Sequence, residues 1–168
     1  MITEHVGDLL ENVEKGFIIH GCNAQGRMGS GIALALRKKW PEIYTEYEAQ
    51  HRRGYRHPRT GKAVNELEMG TNIAVKVSPE IVVINAITQR FYRGHSVDST
   101  KDKRYVDYTA IARCFHDVER IKREFSYITP ILHFPKIGAG LANGEWKVVK
   151  RLIEFNLRSM NKNLWILE

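Results

Sequence analysis

The 168-residue sequence holds only two cysteines, Cys22 and Cys114, and no Cys-x-x-Cys pair. That argues against a disulfide scaffold and a cysteine-based zinc site, and fits a reducing, cytoplasmic setting. Long apolar runs are also missing: the longest, such as Ile81-Val82-Val83-Ile84, are strand-length, so no membrane association is expected. The first residues, Met1 to His5, carry neither a basic stretch nor an apolar core of the secretory type. There is no internal repeat and no low-complexity tract, and the length suits one domain over 1–168. No Gly-Lys-Ser/Thr follows any glycine loop, which excludes a P-loop.

What is present is positive charge. The net charge is +7 with 43% hydrophobic residues, so the natural partner is an anion, either a phosphorylated small molecule or nucleic acid. Much of the excess lies in His51, Arg52, Arg53, Arg56, Arg59 and Lys62. A solvated basic loop explains that run as readily as a nucleic-acid surface does.

Short β-branched or aromatic runs at Phe17–Ile19, Ile73–Val75, Ile81–Ile84, Ile131–Phe134 and Leu164–Leu167 predict buried strands. Helical spacing predicts helices over 30–39, 42–53, 107–124 and 145–159. Their alternation implies an α/β fold with a mixed, largely parallel sheet between two helical layers. In such sheets ligands bind at the carboxyl ends of the strands. Turn-rich stretches about 54–63 and 93–104 read as loops within the domain.

Two glycine segments fall at those strand ends. One, His20-Gly21-Cys22-Asn23-Ala24-Gln25-Gly26-Arg27-Met28-Gly29-Ser30-Gly31-Ile32-Ala33, leaves a strand and enters a helix. The other, Phe134-Pro135-Lys136-Ile137-Gly138-Ala139-Gly140-Leu141-Ala142-Asn143-Gly144-Glu145-Trp146, does the same. Two such loops can hold both phosphates of a pyrophosphate on backbone N–H groups.

With Asn85-Ala86-Ile87-Thr88-Gln89, these segments resemble the macro-domain family. Within it they are most similar to the small branch of ADP-ribose-1″-phosphate phosphatases, terminal ADP-ribose protein glycohydrolases and phage macro proteins. The resemblance implies a three-layer α/β/α macro fold binding ADP-ribose or ADP-ribose 1″-phosphate without a cofactor. It implies that Asp8, beside Leu9, takes the adenine amine, and that Asn23 meets the distal ribose. Gly29, Ser30, Gly31 and Ile32, with Gly138, Ala139, Gly140 and Leu141, would hold the diphosphate, and Gln89 would lie at the site. An N-cap role accounts for Asp8 equally well, and a turn-stabilising role for Asn23.

His20 leaves a strand just before the first loop, where an imidazole can serve as general acid–base or nucleophile toward a 1″ phosphate. A structural histidine is the competing reading. The glycohydrolase branch uses a lysine after the Ile-Thr strand end and an aspartate after Gly-x-Gly-Leu; here stand Gln89, Arg90 and Ala142, which disfavours a lysine adduct. Asp98 and Asp102 are the candidate acidic partners of His20, Glu145 is expected to cap the following helix, and Trp146 to anchor the core. Three functions stay open: phosphatase, hydrolase of ADP-ribosylated macromolecules, and non-catalytic reader. Salt-sensitive nucleic-acid binding ranks behind them.

Overall fold

The structure is a computed structural model that describes residues 1–92, 94, 104–140 and 142–168. Asp98, Asp102 and Leu141 therefore lie outside the described residues, as does most of the 93–104 stretch. In chain order the elements are β1 (Ile2–Val6), α1 (Leu9–Asn12), β2 (Gly16–Asn23), α2 (Gly31–Lys39), α3 (Pro41–Arg53), β3 (Tyr55–Arg56) and β4 (Ala63–Val64). They continue with β5 (Asn72–Ser78), β6 (Ile81–Gln89), α4 (Tyr108–Glu124), β7 (Ile131–Phe134), α5 (Trp146–Asn156) and β8 (Asn161–Ile166).

Six strands form one sheet in the order β1-β8-β7-β2-β6-β5. Five run parallel, and β5 returns antiparallel on β6. β3 and β4 make a separate antiparallel hairpin. The central strands are apolar on both faces because both faces are covered. Phe17, Ile19, Val82 and Ile84 point to α4 and α5, where they meet Phe115, Val118 and Ile153. Ile18, Cys22, Val83 and Ile87 point the other way, to Leu36, Ile43 and Tyr47 of α2 and α3. The parallel strands all end on one sheet edge, so the residues that follow β1, β2, β6 and β7 share it. Among the described residues no helix is long and apolar enough to cross a membrane.

Candidate functional site

At that edge the two glycine segments enclose a cleft of about 580 Å³. Its floor is the end of β2, with Gly21, Cys22 and Asn23, beside Gln89 at the end of β6. One wall is Arg27 and Gly29–Ala33, and the other runs from Pro135 to Gly138 and includes Gly140 and Ala142. Thus Asn23, Gly29, Ser30, Gly31, Ile32, Gln89, Gly138 and Gly140 are brought together.

The first wall ends on an open helix N-terminus. Ser30 sits at the N-cap of α2 in extended backbone, and its hydroxyl makes no capping bond. The first N–H groups of a helix have no partner inside it, so those of Gly31, Ile32 and Ala33 remain available to an anion. A methyl at Gly29, Gly31 or Gly140 would meet nothing within 4 Å among the described residues. Gly31 also needs its φ of +58°, which L side chains rarely adopt. Gly138 and Gly144 are different: a Cβ there would strike Val106 at 2.8 and 2.6 Å.

Asn23 is chiefly an organiser of the first loop. Its Nδ2 donates to the Arg27 carbonyl at 2.8 Å, and its Oδ1 accepts from the Gln25 and Arg27 amides. Tyr47 of α3 donates its hydroxyl to the Asn23 carbonyl at 2.5 Å and lies 3.1 Å from Oδ1. Among the described residues, one Nδ2 proton is left for a ligand. Burial pushes the Tyr47 phenol well above its ordinary range, so it stays a neutral donor.

His20, expected to face the substrate, is fully buried and does not line the cleft. β2 alternation sends it to the α3 side with Ile18 and Cys22. There its Nε2 lies 2.6 Å from Oδ1 of Asn85, its register partner on β6, and Asn85 Nδ2 donates to the Ile43 carbonyl of α3. Burial lowers the His20 pKa to about 4, against the weaker opposing effect of the Asn85 bond. The ring is therefore neutral at pH 7, with its proton on Nε2.

Asp8 caps α1 by accepting from the Leu10 amide at 2.9 Å, and Leu9 packs in the core. The pair stands at the end of edge strand β1, three strand spacings, roughly 14 Å, from β2 along the same edge. Ala139 lies in the second loop, its amide donating to the Lys136 carbonyl at 3.3 Å. Glu145 occupies the N-cap of α5 but makes no side-chain cap; its amide instead donates to the Tyr108 hydroxyl at 3.0 Å. Trp146 packs on the core.

Arg27, Tyr92 and Lys136 line the cleft but were not singled out by sequence. Cations inside glycine loops were the available signal for Arg27 and Lys136. Tyr92 carries the Arg27 guanidinium 5.5 Å from its ring centroid. The described lining thus offers cations and backbone donors to an anion, with no carboxylate or imidazole. Among the described residues no group of three or more His, Cys, Asp or Glu is placed to hold a metal ion.

The family model described as Macro domain matches residues 19–153. An ADP-ribose 1″-phosphate phosphatase of Ajellomyces capsulatus is 38% identical over 60 residues, 36% of this chain and 24% of that protein. A DNA ADP-ribosyl glycohydrolase of Mycobacterium tuberculosis is 27% identical over 154 residues, 90% of this chain and 37% of that protein. The chain thus spans well under half the length of either enzyme. The solved macrodomain protein of Streptomyces coelicolor superposes with a TM-score of 0.73 at 28% identity, covering 99% of both chains.

Proposed function

This chain belongs to the macro domain family, and from that premise we propose that its cleft binds ADP-ribose and that the protein hydrolyses a bond at the 1″ position, foremost that of ADP-ribose 1″-phosphate. The observation that carries the reading is the pair of loops after β2 and β7. Both open onto one cleft through glycines 29, 31 and 140, beside the uncapped start of α2. A diphosphate between two such loops meets backbone donors that need no reorganisation. Arg27 and Lys136 add charge at the rim. The names of the phosphatase and glycohydrolase relatives support a substrate with ADP-ribose at its core.

The place of His20 supports a positioning role for it. A neutral, fully buried imidazole that ties β2 through Asn85 to α3 holds the floor beneath Asn23, while the loops and rim cations stabilise charge on the departing group. Removal of ADP-ribose from nucleic acid or protein is the second reading, favoured by the broad 90% match to the glycohydrolase.

The test pairs calorimetry with ADP-ribose and phosphate release from ADP-ribose 1″-phosphate. Binding with release is the expected outcome, and binding with release only from ADP-ribosylated DNA or protein would select the second reading. Binding without any turnover would leave a reader, and absence of binding would end the proposal. His20→Gln separates the two roles of that residue. Unchanged kcat in a folded variant would remove it from the chemistry, while lost kcat with intact binding and melting would return it to the reaction.

A further inference from the structure

Five cations, Arg52, Arg53, Arg56, Arg59 and Lys62, occur between Glu48 and Glu66 with no acid among them. That one stretch carries +5 of the chain's +7 and takes no part in the cleft. All five side chains are exposed. They lie on the last turn of α3 and on the β3–β4 hairpin that follows.

The hairpin is a built element. Gly54, at φ +63°, turns the chain out of α3 where any Cβ would strike the Val64 carbonyl at 2.1 Å. Tyr55 then pairs with Val64 and Arg56 with Ala63. At the tip the His57 amide donates to the Lys62 carbonyl, Gly61 donates back to His57, and His57 Nδ1 accepts from the Arg59 amide. The Arg56 guanidinium donates to the Gly61 carbonyl at 2.9 Å and is exposed. The base is fastened to the wall of the cleft. Leu67 donates to the Ala24 carbonyl, Glu66 pairs with Arg90, and the His51 ring lies against Gly26.

These cations are poorly compensated within the protein. Arg52 and Arg53 reach Glu48 and Glu46 only at 3.9 and 3.8 Å, both pairs well exposed. Such pairs contribute little. No large exposed apolar side chain lies on the arm, as insertion into a membrane would require. Four of the five are arginines, whose planar fork matches phosphate oxygens.

We propose that this arm is a nucleic-acid docking surface that grips a phosphate backbone, independently of ADP-ribose in the cleft. The probe is a fluorescein-labelled, mixed-sequence 20-mer, single- or double-stranded and free of ADP-ribose, titrated by anisotropy at 50 to 200 mM NaCl. Five phosphate contacts predict a log–log salt slope of about −3.5 on single strands and about −4.5 on duplex. The triple variant Arg56→Gln, Arg59→Gln, Lys62→Gln should bind at least about tenfold more weakly at 100 mM salt, with a single-strand slope shallower by about 2. Its melting temperature and its calorimetric affinity for ADP-ribose should not change. A second variant, Arg123→Gln, Lys150→Gln, Arg151→Gln, removes equal charge from α4 and α5 across the sheet, and should stay within about twofold of the parent. Equal losses in both variants, or competition by polyglutamate as strong as by oligonucleotide, would overturn the proposal.

Discussion

The two walls of the cleft are composed alike and wired differently. The loop after β2 is stapled by side chains: Tyr47 of α3 and the loop's own Asn23 hold its backbone, and the His51 ring of α3 closes on Gly26. The loop after β7 is held mainly by backbone and close packing. Gly144 donates to the Gly138 carbonyl at 2.6 Å, both glycines press on Val106, and the Tyr105 amide donates to the Ala142 carbonyl. A phosphate-binding wall can thus be fixed from outside by a helix or from within by its own turns. The first kind should fail when the helix behind it loosens, and the second when its glycines change.

Acid gives the largest separation. His20 has a folded-state pKa near 4 and an ordinary value of 6.5, so the unfolded chain binds more protons between those values. Stability from this group is complete above pH 6.5 and is lost as pH falls towards 4, roughly 3 kcal/mol in all. His133, also lowered by burial, acts with the same sign. Urea unfolding at pH 7.5, 6 and 5 should show a falling midpoint whose slope flattens in His20→Asn. Amides of Asn23, Gln25 and Arg27 should shift in NMR spectra before those of residues 138–144, because His20 and Asn85 brace α3. A His20 ring titrating near 6.5 would show that the brace is open in solution.

The second loop should break from within. An alanine methyl at Gly144 would sit 2.6 Å from both the Gly138 carbonyl oxygen and Val106 Cγ1. The carbonyl is backbone and cannot yield cheaply, so Gly144→Ala should cost about 2 kcal/mol of stability. Adding Val106→Ala should recover part of that loss, since it removes one of the two clashes, and the double-mutant cycle would report the coupling. Thermal melting of Gly144→Ala at the parental temperature would mean that the loop is loosely packed.

The parts of the fold that alternate or repeat regularly were legible from sequence, and the parts stabilised by particular pairs were not. The apolar run that marks β6 stops at Ile84, where Asn85 interrupts it. The strand continues to Gln89 because Asn85 is satisfied by His20 and Ile43. β8 begins at Asn161 because the buried Lys162 ammonium donates to the Leu157 and Met160 carbonyls. β1 leaves most of its side chains exposed and carries little hydrophobic signal. The glycine loops were legible because their spacing is local. The depth of His20 was not, because it depends on strand parity and on Tyr47 and Ile43, which belong to a helix some 20 residues away in sequence.

The smallest effect on stability should accompany a specific effect on binding. Gly29 and Gly140 both line the cleft, on opposite loops, and a methyl on either meets no atom of the described residues within 4 Å. Neither position has the positive φ that would strain an alanine. Gly29→Ala and Gly140→Ala should therefore melt within about 0.5 kcal/mol of the parent. The added methyl would occupy space that a diphosphate needs for close backbone approach, so ADP-ribose affinity should fall about tenfold, near 1.4 kcal/mol, in each. Calorimetry on the two variants weighs one wall directly against the other. Equal losses mean that both loops grip the phosphates, whereas a loss at Gly29 alone would leave the stapled wall as the anion site and the second loop as its cover. Full affinity in both would place the ligand elsewhere on the sheet edge.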